Sequence, residues 1–277
     1  FEAWGRRIYQ RFHPDTAIPV EYDDVIAGIP AASTVFCNLF KAMKAAQTQY
    51  LIVDLRDNQG GNSLMNQILT YYLAGFEKTV ALLRENGTVR KMSEFLANCS
   101  KDGLDLTQIP YYPQVPLSIT DYDFSLDPDF SGAQYEESIR VNLEMDFVKM
   151  PSFRQEFESR QHEGLYFPDQ LFILSSELTF STGYNLMVDL CRLGGDIVGV
   201  PSGQAGTSYG DVRSCELTNS GFNGNVTTKS FIAFPDDPDA GSLLKPRYEL
   251  TYEQFKDYNF DENATLRYVL SLIADSL

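Results

Sequence analysis

The sequence predicts an α/β fold, and three observations carry that prediction. Short apolar runs rich in branched residues recur: Leu51-Ile52-Val53, Leu171-Phe172-Ile173-Leu174 and Ile197-Val198. They have the length of buried strands. Between them lie stretches whose apolar residues repeat at helical spacing. Turns rich in glycine and polar residues join the two kinds of segment, so strand-turn-helix units recur, as a layered α/β arrangement requires.

In chain order, the spacing predicts a helix from Pro30 to about Ala46, with Pro30 suited to a first helical turn. The strand Leu51–Val53 ends in Asp54-Leu55-Arg56-Asp57-Asn58-Gln59-Gly60-Gly61-Asn62. Leu64, Ile68, Leu69, Tyr72 and Leu73 then mark one face of a helix that stops at Gly75. From about Phe76 to Tyr166 the character changes. Tyr111-Tyr112-Pro113, Pro116 and Asp127-Pro128 indicate extended, loop-rich chain, with helical stretches from Phe130 to Val148 and from Ser152 to Gln161. This part reads as an insertion over one side of the core. The pattern resumes at the strand Leu171–Leu174. A helix after Ser181 carries a stripe of Tyr184, Met187, Val188, Leu190 and Cys191 and exits at Gly194-Gly195. A strand follows over Asp196–Val200. Ser208–Leu217 and Val226–Phe234 read as an antiparallel pair, and Asn263–Ile273 as a closing helix.

At 277 residues the chain suits one large domain or two small ones, and its 43% apolar content suffices for a core. Its net charge is -16, from 38 acidic and 22 basic residues. No basic stripe offers itself to nucleic acid or to an anionic membrane. No run of about 18 apolar residues is found, so no membrane span is expected. The chain opens at Phe1-Glu2-Ala3 with no signal peptide or initiator Met and reads as a mature product or a segment of a longer protein. The cysteines, Cys37, Cys99, Cys191 and Cys215, form no CxxC pair, so no metal site is expected. Cys37 and Cys191 read as buried helical thiols. Pairing of Cys191 with Cys215, or of Cys99 with another, stays open. Glycosylation triplets at Asn98, Asn225 and Asn263, together with the acidity, favour an exported protein.

Two turns are placed for chemistry. One carries Gly60-Gly61 and the other Ser181, and each leads from a buried strand into a helix. Helix N-termini present free N–H groups and the positive end of the dipole. A Gly-Gly turn lets backbone amides approach a ligand. Together they would supply a nucleophile and an oxyanion hole. Each also has a plain structural reading: a tight turn with Asn62 as helix cap, and Ser181 as an N-cap.

The segment Leu51–Asn62 resembles the "lilDLRxNxGG" strand-end motif of the tail-specific (C-terminal processing) serine peptidases. Leu171–Gly183 resembles that family's nucleophile segment, a strand followed by "TxSA", and Gly194–Gly199 resembles the helix exit and strand after it. The three occur in the family's order and cover roughly residues 30–75 and 166–277. The resemblance implies a ClpP/crotonase-like spiral of ββα units with a loop-rich, partly helical insertion. It divides the chain into 1–75, the first part of the peptidase core with the oxyanion turn, 76–165, the insertion, and 166–277, the part with the nucleophile. Ser181 matches the nucleophile. The amide of Ser181 itself or of Thr182, with Gly60 or Gly61, would hold the oxyanion. Asp54, Arg56 and Asn58 would fix the turn, Arg56 through an ion pair with an acid such as Asp54.

The resemblance leaves the base open. Where one branch of the family carries its lysine, in a "GxxTxGKG"-like turn, this chain has Ala205, so a Ser–Lys dyad is rejected; Lys229 and Lys245 read as surface charges. The other, tricorn-like branch uses a histidine well before the Gly-Gly motif. His13 lies too close to that motif, and His162 falls in the insertion. The histidine is expected upstream of Phe1, with His13 as the weaker candidate. Asp239 is the nearest match to the family's late carboxylate, one place off, and Arg247 stands where the motif has an acid. The implied activity is a secreted peptidase acting on peptide or protein substrates through an acyl-enzyme, without cofactor. The rival is a family member without its base that binds peptide or apolar ligands. An α/β-hydrolase esterase would need Gly-x-Ser-x-Gly; here Thr179 holds the first glycine's place and no histidine follows Ser181.

Overall fold

A computed structural model describes residues 2–85, 87–91, 121–123, 132–160, 162–234 and 237–276. The chain runs through α1 (Glu2–Phe12), α2 (Tyr22–Ala27), α3 (Ala32–Ala46), β1 (Tyr50–Asp54), α4 (Leu64–Ala74), α5 (Phe76–Arg84), β2 (Gly87–Lys91) and β3 (Asp121–Asp123). It continues through α6 (Gly132–Lys149), α7 (Pro151–Ser159), β4 (Gln170–Ser175), α8 (Thr182–Arg192), β5 (Asp196–Gly199), β6 (Thr207–Glu216) and β7 (Asn223–Ile232). It ends with α9 (Pro238–Ser242), β8 (Tyr248–Glu249), α10 (Tyr252–Asp257) and α11 (Ala264–Ser276). The predicted loop markers at 111–116 and 127–128, and Cys99, lie outside the described residues.

The expected α/β arrangement is present. One sheet is parallel in the order β1-β4-β5-β8, and a second is antiparallel in the order β3-β2-β7-β6. β4 sits between two parallel neighbours and buries both faces, which is why its sequence is an unbroken apolar run. Its side chains alternate: Leu171 and Ile173 join the larger core, while Phe172 and Leu174 join a smaller one beneath α11. The larger core draws Phe40 from α3, Tyr71 and Tyr72 from α4, Phe147 from α6, Phe153 and Phe157 from α7, and Met187 from α8. These rings meet mostly edge to face: Phe153 lies 5.3 Å from Tyr71 at 89° and 4.8 Å from Phe147 at 87°.

Several boundaries differ from the sequence reading. α3 starts at Ala32, two residues after Pro30, with Ala31 still extended (ψ 134°) as its cap. The chain after Gly75, expected to be extended, begins as α5, because Phe76, Val80 and Leu82 bury against the core. The two N-terminal helices and the short β8 had no clear signal. Cys37, Cys191 and Cys215 are free thiols, so a Cys191–Cys215 bridge is not formed; the two cysteines belong to α8 and to strand β6. Tyr22–Ala46 holds no uninterrupted apolar run, yet it is long and apolar enough to cross a membrane by length and composition. That stretch contains α2 and α3, and α3 buries Cys37, Phe40 and Met43 in the core.

Phe153→Ala, at a fully buried site ringed by aromatics, is expected to cost about 3–5 kcal/mol, read as a lower denaturant midpoint at unchanged slope.

Candidate active site

The β1–β4 register places Asp54 opposite Leu174, so the two strands end side by side and release their turns together. The turns are then stitched along their length. Leu55 N–H donates to the Leu174 carbonyl at 3.0 Å. The Ser176 and Thr179 hydroxyls donate to the carbonyls of Arg56 and Leu55 at 2.5 and 2.8 Å. Phe180 N–H reaches the Asn58 carbonyl at 2.9 Å, and the Thr182 hydroxyl reaches that of Gly61 at 2.9 Å. Asn66, from inside α4, donates to the Thr182 carbonyl at 2.8 Å. Arg56 forms a two-pronged pair with Asp54 at 2.9 and 2.7 Å and donates to the Glu262 carbonyl at 2.5 Å. Those bonds from the Arg56 guanidinium hold the Asp54 carboxyl below the usual carboxylate range. Arg56 thus fixes the turn through Asp54, and Asn58 does so through both its carbonyls.

Gly60 is required where it stands. Its φ is 102°, and a Cβ there would lie 2.6 Å from the Ser181 Cβ and 2.9 Å from the Thr182 nitrogen. A Cβ on Gly61, by contrast, would meet nothing within 4 Å. Asn62 accepts from Leu64 N–H at 3.0 Å and so does serve as a cap-like residue for α4.

Ser181 occupies the N-cap position of α8, yet its hydroxyl makes no capping bond. Its backbone has φ 52° and ψ −123°, a conformation that costs a non-glycine residue about 1–3 kcal/mol. Such strain at a strand-to-helix turn is how a serine is presented at an exposed elbow. The residue is exposed and lines a cavity of about 460 Å³. Gly61, Ser63, Thr182, Gln204 and Ser208 line it with polar and backbone groups, and Phe180, Tyr209 and Phe231 supply aromatic surface.

Four backbone N–H groups come into question as oxyanion donors. Gly60 N–H is spent on Asn58 Oδ1 at 3.0 Å, and Ser181 N–H on Gln204 Oε1 at 2.6 Å. Those of Gly61 and Thr182 donate to no acceptor among the described residues, and both residues face the cavity. Gln204 was not singled out from the sequence; a lone glutamine 23 residues beyond the serine gives no local signal.

The structure brings Ser181, Thr182, Gly60 and Gly61 together. The other candidates lie outside the residues that line the cavity. His13 Nε2 is 2.8 Å from the Gly28 carbonyl, with its ring 4.4 Å from that of Tyr9. His162 stacks on Phe157 at 4.8 Å. Asp239 is exposed on α9. Among the described residues Tyr209 is the single titratable side chain in the cavity lining. Among the described residues no three His, Cys, Asp or Glu side chains gather as a metal site would need.

No family model and no curated protein matches the chain. Solved structures similar to it include a candidate S41 protease from Bacteroides fragilis NCTC 9343, at 13% identity and TM-score 0.44, covering 86% of this chain and 48% of that one. Mature CPAF is similar at 17% identity and TM-score 0.42, over 89% of this chain and 48% of the other. The photosystem II D1 C-terminal processing protease is similar at 13% identity and TM-score 0.39, over 81% and 40%. This chain therefore spans less than half the length of each.

The helix behind the site carries a buried acid. Asp189, on the inner side of α8, is 9% exposed. Burial pushes its carboxyl up to about 7, against the pull of Arg192 and with the help of Glu85. An unfolded carboxyl titrates near 3.9, so the folded chain holds the extra proton between roughly pH 4 and 7 and loses stability as pH rises through that window. Asp189→Asn should melt above the wild type near pH 8 and converge with it near pH 4, as thermal unfolding across pH will read.

Gly60→Ala is expected to lower stability by about 1–3 kcal/mol through its left-handed backbone and its collision with Ser181, read by chemical denaturation.

Proposed function

We propose that the chain is the core of a serine-type peptidase that cleaves peptide bonds through an acyl-enzyme on Ser181. One observation carries this reading: the strained, uncapped Ser181 shares a cavity with two unspent amides, those of Gly61 and Thr182, on the facing turns. The Ser181 hydroxyl adds to the scissile carbonyl, and its proton goes to the base. The oxygen that gains charge is received by the two amides and the N-terminal end of α8. The base hands that proton to the departing amine as the C–N bond breaks, and water then hydrolyses the acyl-enzyme and frees Ser181. The base is the histidine that the tail-specific, tricorn-like resemblance implies ahead of Phe1, since neither His13 nor His162 lines the cavity. The ClpP/crotonase-like spiral, the three-part division of the chain, the peptide or protein substrate and a secreted location belong to the same reading. The exposed triplet Asn225-Val226-Thr227 is consistent with export.

A second reading, a binding module of the same fold, is favoured by one observation: among the described residues no histidine or lysine borders the cavity. Labelling with a fluorophosphonate on the longest natural form of the protein separates the two. The peptidase reading expects wild type to label, His13→Ala to label at a rate within about twofold of it, and Ser181→Ala not to label, since loss of a true base costs about 100-fold or more. Labelling that survives in Ser181→Ala overturns the assignment, and a silent wild type favours the binding module.

A further inference from the structure

The loop between β5 and β6 is bonded to the Ser181 elbow at three successive points. Gly203 N–H donates to the Glu177 carbonyl at 3.2 Å. The Ser202 hydroxyl donates to the Thr179 carbonyl at 2.5 Å. Gln204 accepts from Ser181 N–H through Oε1 at 2.6 Å. Gln204 and Ser202 are both buried, and Ser202 also accepts from the Gln204 N–H at 3.0 Å. The far end of the carboxamide is occupied too, donating to the Ser208 hydroxyl at 3.3 Å. A buried amide satisfied at both ends has one orientation, since turning it over would set its NH₂ against the Ser181 N–H.

We propose that Gln204 is a positioning residue for Ser181. Its side-chain oxygen holds the Ser181 N–H and so fixes the strained backbone that presents the hydroxyl to the cavity. The bond falls on an N–H that the proposed reaction leaves unused, because Thr182 and Gly61 receive the oxyanion. Without an acceptor there, the Ser181 peptide turns toward ordinary backbone angles, and the hydroxyl leaves its place opposite Gly61. The role is mechanical and rests on the peptidase reading only in what it positions; the bond itself is testable whether or not the protein is a peptidase.

The test uses two substitutions of similar volume on the full chain. Gln204→Leu removes the acceptor, and Gln204→Glu keeps an oxygen at the same reach. Amide hydrogen exchange at Ser181 should accelerate at least about tenfold in Gln204→Leu and stay near wild type in Gln204→Glu, while exchange of the buried β4 amides stays near wild type in both. Fluorophosphonate labelling should show the same split in the maximal inactivation rate, a loss on the order of 100-fold for leucine with the half-saturating probe concentration unchanged, and recovery with glutamate. Unchanged Ser181 exchange in Gln204→Leu overturns the proposal, whatever the labelling. Faster exchange with labelling at the wild-type rate also overturns it, because the bond would then hold the peptide without positioning the hydroxyl. If wild type does not label, the peptidase reading fails and the exchange data alone decide whether Gln204 holds the elbow.

Discussion

Everything at the candidate site depends on β1 and β4 ending in register. The pairing of Asp54 with Leu174 brings two segments more than a hundred residues apart to the same edge of the sheet. Side-chain hydroxyls and backbone amides then tie the turns together rung by rung. Polar residues that look unremarkable in the sequence, Ser176, Thr179 and Thr182, are the ties. Thr179 is wholly buried, so its hydroxyl bond to Leu55 is made in a low-dielectric setting where losing it would strand an acceptor.

The stitching leaves a selective pattern of free donors. Of the four amides near Ser181, the protein satisfies two with side-chain carboxamides, Asn58 and Gln204, and leaves two, on residues that line the cavity, without an acceptor among the described residues. Both stand on residues that line the cavity beside an exposed hydroxyl, an arrangement a ligand oxygen can complete. Ser181 contributes a strained backbone rather than a cap, which separates it from the ordinary serine at a helix start.

The structure also shows how the helices support the site. α8 begins at Ser181 and buries Tyr184, Met187 and Leu190, so the elbow is the outer end of a rod fixed in the core. Asn66 joins α4 to the same elbow. The aromatic cluster of α4, α6 and α7 holds α4 from behind, and so part of the chain between the two motifs belongs to the packing that fixes them.

The sequence by itself determined three of the four strands of the parallel sheet, the helices that follow β1 and β4, and the two turns that matter. It could do so because branched apolar runs, helical spacing and Gly-Gly at a strand end are local signals that depend on neighbouring residues. Only the tertiary structure decided which amides are open, that Asn58 and Gln204 occupy the others, that Ser181 is strained, and that His13, His162 and Asp239 stand apart from the cavity lining. It also decided that Phe76 opens a new helix rather than a loop. Each of these turns on which groups meet across long stretches of chain, and a hydrogen bond between positions 181 and 204 or 182 and 61 leaves no periodicity for a sequence to display.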